Sequence, residues 1–164
     1  MTGVEARVTG WDDAWLRVRW RVDGAQAMVV PPFAGRGRAD ELWRTTCFEL
    51  FLRTVDESAY VEFNLSPSER WAAYDFSGYR AGMLERPASR EPGCTMRIGS
   101  NFAIFDAAIP RDVLPTLPAA ANFAAVIEER GGTVSYWALA HPHARPDFHD
   151  PACFAAELTP PPGT

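Results

Sequence analysis

The sequence predicts an all-β protein, an antiparallel β-sandwich. Two observations carry that expectation. Short apolar runs alternate with polar residues at a period of two. Fourteen prolines and twelve glycines punctuate those runs at close intervals, as in many strands joined by turns. No long amphipathic helix interrupts the pattern, so less than about a quarter of the chain is expected to be helical.

The first clear strand is 15–22, where Leu16, Val18, Trp20 and Val22 face one side and Arg17, Arg19 and Arg21 the other. A helix would scatter those arginines around its circumference. The turn Asp23-Gly24 follows, then a short run through Met28-Val29-Val30 that stops at Pro31-Pro32. The best-specified unit is the pair 46–53 and 60–66. With Arg53 opposite Tyr60, Phe48 faces Leu65, Leu50 faces Phe63 and Leu52 faces Val61, a uniformly apolar face. The other face then carries Cys47, Glu49, Phe51 and Arg53 against Ser66, Asn64, Glu62 and Tyr60. The stretch 71–80 reads as a ring-rich loop or irregular strand. A second hairpin is marked by Gly131-Gly132; with Arg130 opposite Thr133, Val126 faces Trp137 and Ile127 faces Tyr136, and both faces are expected to be covered. Residues 102–109 and 154–158 are further strand candidates, and Asp112-Val113-Leu114 fits one helical turn. The expected core holds Leu16, Val18, Trp20, Phe48, Leu50, Leu52, Val61, Phe63 and Leu65. A single domain over 1–158 with a frayed tail, 159–164, accounts for the chain of 164 residues.

Composition removes whole classes of function. Sixteen basic residues stand against 21 acidic ones, a net charge of −5, which lacks the electrostatic footprint of a nucleic-acid binder. All the basic residues are arginine, so no phosphate-cradling loop with its lysine is present. No run reaches the length of a membrane helix. The N-terminus shows no apolar signal core, and three cysteines (Cys47, Cys94, Cys153) cannot all pair, so a cytoplasmic location is expected. Gly35-Arg36-Gly37 begins like a dinucleotide loop but has Asp40 where the third glycine belongs. Cys47 sits among bulky strand neighbours with no cation to activate it, which suits packing better than nucleophilic attack. His141, His143 and His149 lie within nine residues, yet the intervening prolines suit a braced loop, and a metal site there is expected to be weak or absent. No cofactor is expected.

Glu49 and Glu62 share one sheet face with Asn64, and aromatic residues border it: Trp43 before the first strand, then Trp71, Tyr74 and Tyr79, with Arg80 beside them. Flat rings suit the apolar face of a sugar, while carboxylates, Asn and Arg meet its hydroxyls. A non-catalytic module is therefore expected, its partner a small-molecule ligand, a carbohydrate or sugar-like metabolite, with a neutral sugar suiting the mixture. Two other chemistries stay open. Paired carboxylates are also the machinery of glycoside hydrolysis, and Met83 with one histidine would serve as axial ligands in a haem-binding redox domain.

Residues 42–51, Leu-Trp-Arg-Thr-Thr-Cys-Phe-Glu-Leu-Phe, and 60–67, Tyr-Val-Glu-Phe-Asn-Leu-Ser-Pro, together with Trp71-Ala72-Ala73-Tyr74, 125–128, 135–139 and Pro146-Asp147-Phe148-His149, resemble the bacterial branch of DOMON-like domains, relatives of the family-nine carbohydrate-binding modules. The resemblance runs from about Trp15 to Leu158. It implies an immunoglobulin-like or jelly-roll sandwich with a small-ligand site on one face, the ligands of the wider group being sugars or haem. It also implies a clamp of two tryptophans around a terminal sugar, with Trp43 or Trp71 paired with Trp137 as the candidates here.

Overall fold

The structure, a computed structural model, describes residues 1–161. The last part of the expected tail, 162–164, lies outside the described residues. Twelve strands follow in chain order: β1 Gly3–Trp11, β2 Trp15–Asp23, β3 Gly37–Arg38, β4 Cys47–Thr54, β5 Tyr60–Leu65, β6 Arg70–Phe76, β7 Leu84–Glu85, β8 Gly93–Ile98, β9 Phe102–Pro110, β10 Ala119–Glu128, β11 Val134–Trp137 and β12 Ala156–Leu158. The helical content of the described residues is four 3₁₀ turns of three residues each, one of them Arg111–Val113. No helix among the described residues is long and apolar enough to cross a membrane.

Two sheets result. The smaller has the order β1-β2-β9-β8; the larger has β11-β10-β4-β5-β6-β3, with β12 also on β10 and β7 on β6. All pairings are antiparallel except the short one between β3 and β6. The sheets meet through the residues whose alternation predicted them. Leu16, Val18, Trp20 and Val22 from β2 and Phe105 and Ile109 from β9 pack on Phe48, Leu50, Leu52, Phe63 and Leu65 from the larger sheet. Phe48 and Phe105 stack across the interface, ring centres 4.2 Å apart, and Trp20 tilts against both. All nine expected core residues are buried.

The β4–β5 register is the predicted one, with Phe48 opposite Leu65, Leu50 opposite Phe63 and Leu52 opposite Val61. The β10–β11 register differs by one residue. Val126 pairs with Tyr136 and Ala125 with Trp137, because the turn closes by Glu129 N–H donating to the Thr133 carbonyl. Three residues, Arg130, Gly131 and Gly132, therefore make the loop where two were expected. A slip of one residue exchanges the faces of every side chain on the strand, so Tyr136 and Trp137 trade places. β11 is also only half covered, with Val134 and Tyr136 exposed. The stretch 71–80, expected as a loop or irregular strand, opens as the regular strand β6 through Phe76.

The outer face of the larger sheet is not left to solvent. A second apolar cluster forms there from Phe51, Tyr60, Ala72, Tyr74, Phe76, Ala124 and Val126, capped by Phe148 and Phe154 of the C-terminal segment. That segment, 138–155, crosses the sheet as a strap. The fully buried Asn122 side chain fastens it, donating to the Phe148 carbonyl (3.1 Å) and accepting from Leu139 N–H (3.5 Å). Asp150 caps the 3₁₀ turn Pro151–Cys153 by accepting from Ala152 N–H (2.8 Å).

Candidate functional site

Strap and sheet enclose a cavity of ≈ 700 Å³, within the range of small-molecule sites. Its floor follows from strand alternation. Glu49 pairs with Asn64 across β4 and β5, and Glu62 pairs with Phe51, so the two carboxyl groups are diagonal neighbours on the outer face. Tyr74 follows from the pairing of Glu62 with β6. The strap brings Phe148 and His149 over them, and Trp43, Tyr136, Met83 and Arg80 complete the walls.

The floor is dry. Glu49, Glu62 and Asn64 are 3%, 6% and 2% exposed. Asn64 Nδ2 donates to Glu62 Oε1 (2.8 Å), but Asn64 Oδ1 is buried with no hydrogen-bond partner among the described residues. Burial, reinforced by the charge of Glu62, pushes the Glu49 carboxyl well above the ordinary carboxylate range. Burial pushes Glu62 up to about 7, against the opposing pull of Asn64 and Arg80. Both acids therefore hold protons far more tightly than a solvated glutamate.

Around the floor the partners are committed. Tyr60 Oη meets His149 Nδ1 at 2.7 Å and accepts from Arg80 N–H at 3.1 Å. The tight turn Ser77–Ala81 makes the second contact possible by placing Arg80 in the left-handed region at φ 50°. Arg80 in turn pairs with Asp147 at 2.7 Å, and Tyr79 donates to the same carboxylate. Burial raises Asp147, but the hydrogen bonds from Tyr79, Arg80 and His149 N–H and the charge of Arg80 together hold it below its usual value. Burial, with Arg80 nearby, depresses His149 to about 4, so its ring is neutral at physiological pH. Tyr74 donates to Asp40, and burial and that bond raise its phenol.

Of the residues singled out from sequence, Trp43, Glu49, Glu62, Asn64, Tyr74 and Arg80 line the cavity together. Three do not. Trp71 pairs with Leu65 on β5 and shares its inward face, where it is 2% exposed in the core. Arg38 covers one face of its ring at 4.1 Å. Trp137 turns toward the core through the one-residue register slip and packs against the same cluster. Tyr79 stands outside, exposed, bracing Asp147. The two-tryptophan clamp implied by the resemblance is therefore not formed by these side chains. Sequence reasoning missed Phe76, Tyr136, Phe148 and Asp40 as wall residues. Alternation along β6 would have found Phe76; nothing local announces the strap.

The histidines are divided. His149 turns inward to Tyr60, while His143 pairs with Asp150 at 3.0 Å, and no group of three metal-ligating side chains occurs among the described residues. Met83 and His149 line the same cavity, but the site does not fit haem. His149 Nδ1 is taken by Tyr60 and its Nε2 faces a Glu62 oxygen at 3.7 Å, so neither ring nitrogen is free to serve as an axial ligand. Cys47 lies buried on the same face of β4 as Glu49, and burial pushes its thiol well up, which leaves it inert as a nucleophile.

Fold and site together define a β-sandwich carrying a ligand-sized cavity on the outer face of its larger sheet. No protein-family model matches the chain, and no curated protein matches it. Among solved structures it is similar to a putative carbohydrate-binding protein from Bacteroides uniformis, with a TM-score of 0.59 and 16% identity, over 92% of this chain and 75% of that one. At that identity the likeness is one of fold.

Proposed function

We propose that this protein is a non-catalytic module that binds a small hydroxylated ligand of the carbohydrate class in the cavity between sheet and strap. One observation carries the reading: Asn64, whose buried Oδ1 has no partner among the described residues, lines a ligand-sized cavity beside Glu49 and Glu62. Leaving such an atom unmet costs about 1–3 kcal/mol, and a ligand hydroxyl relieves it. Trp43 and Tyr136, 48% and 45% exposed, offer ring faces at the cavity wall for the C–H side of a sugar. The name of the Bacteroides protein favours that ligand class, and sugars are one of the two ligand classes, with haem, that the resemblance to DOMON-like domains implies.

Hydrolysis fits less well. A glycosidase needs one carboxyl kept protonated and a second kept ionised by a polar setting. Here burial pushes both Glu49 and Glu62 upward, so neither is prepared as the ionised member.

Titrating sugars while following tryptophan emission tests the proposal. Asn64→Ala should weaken binding by about ten-fold, the worth of one well-made hydrogen bond in a dry site, and Trp43→Phe should remove most of the emission change. A sugar that binds both variants as tightly as the parent places the site elsewhere.

A further inference from the structure

Once Glu49 and Glu62 ionise, the floor of the cavity is built almost wholly from acceptors. Glu49 receives no hydrogen bond from any described residue, Asn64 Oδ1 receives none, and Glu62 receives one, from Asn64 Nδ2. Of the two arginines that line the cavity, Arg80 is spent on Asp147 and Arg145 is an exposed residue of the strap, and the neutral His149 supplies no charge. Asp40 and Glu41 add further negative charge at the wall. A hydroxyl brings one donor to such a place. An ammonium brings three donors, no acceptor and a positive charge, and rings such as Trp43 and Tyr136 tolerate a cation beside them.

From this arrangement we infer that the ligand is an amino sugar, its ammonium group seated on Glu49, Glu62 and Asn64 Oδ1 and its hydroxylated ring against Trp43 and Tyr136. The inference rests on the carbohydrate reading and narrows it. An ammonium requires at least one of the two carboxyl groups to ionise, so its binding releases a proton that a neutral sugar leaves in place. The groups around Glu62 are Glu49 and Cys47 from β4, Tyr60 and Asn64 from β5, Tyr74 with Asp40, Arg80 with Asp147, and His149 from the strap, with Glu41 and Arg145 at the wall of the same cavity. Glu49 bears directly on this ionisation, since the charge of Glu62 raises Glu49's hold on its own proton, and the amine's advantage should grow as pH rises toward the value at which Glu62 ionises.

Calorimetric titration of the full chain with glucosamine, galactosamine and mannosamine, each beside its parent hexose, decides the matter. At about pH 7 at least one amine should bind about ten-fold more tightly than its parent, as expected for a charge-assisted bond. The advantage should shrink at about pH 5. Repeating the titration in buffers of different ionisation enthalpy should reveal the released proton. Glu49→Gln and Glu62→Gln should each reduce the ratio of amine to parent affinity. The ratio in the unaltered protein suffices if a variant fails to fold. Equal affinity within every pair overturns the inference and leaves the sugar reading standing, as does an advantage that survives both substitutions. If none of the six compounds binds, both fall.

Discussion

Glu62 shows how one buried side chain sets both chemistry and stability. Its folded-state value of about 7 lies above that of an exposed glutamate, so the folded protein binds this proton more tightly than the unfolded chain. The associated stability is present at low pH and is lost as pH rises through about 7. His149 works in the opposite sense: depressed to about 4, it contributes stability above its ordinary value and loses it as pH falls toward 4. Glu62→Gln keeps the acceptor for Asn64 and removes the ionisation. It should therefore be more stable than the parent at about pH 8, by up to about 3 kcal/mol, with no gain below about pH 4.5. Urea midpoints at the two pH values measure this; an equal gain at both would assign the effect to packing. On the opposite face of the same strands the cost is of another kind. Leu50 is wholly buried in the core, and Leu50→Ala should cost about 2–5 kcal/mol at every pH.

At the scale of elements, register decides which side chains become functional. β4 and β5 were legible because Phe48, Leu50, Phe63 and Leu65 alternate strictly, and a slip of one would bury Glu49, Glu62 and Asn64 between the sheets. The β10–β11 hairpin was less legible because residues on both of its faces are apolar, and pattern alone does not choose between neighbouring registers. The turn chooses. Gly131 and Gly132 adopt φ of 104° and 88°, and with Arg130 they make a three-residue loop that delivers Tyr136 to the cavity and Trp137 to the core. A Cβ at Gly132 would meet open space, so Gly132→Ala tests conformation alone. It should cost about 1–2 kcal/mol and should also weaken binding if the register shifts. An unchanged melting temperature would show that the loop tolerates another geometry.

For the whole molecule, the strap is what turns a sheet face into a cavity. Asn122 ties to residue 148 and Tyr60 to His149, contacts that join distant parts of the chain across the outer face. The strap is fastened by few polar contacts, whereas the two sheets share an extended apolar interface, so the two should open with different free energies. Asn122→Ala should speed amide exchange over 139–150 while leaving β2, β4 and β9 protected, and ligand affinity should fall with it. Uniform loss of protection would mean that strap and sandwich unfold together.

What the sequence determined by itself was everything that depends on neighbours along a strand: the all-β class, the inward set of β2, β4 and β5, and the placing of Glu49, Glu62 and Asn64 on one outward face. Alternation is a local property, and burial of one face enforces it. What only the tertiary structure decided was which rings accompany those three residues. Trp71 joined the core because β6 extends the alternation of β5. Trp137 gave way to Tyr136 because a turn gained one residue. Phe148 and His149 reached the floor because Asn122 holds a distant segment across the sheet. The raised carboxyls follow from the same cause, since a glutamate on an outward face is buried only when another part of the chain returns to cover it.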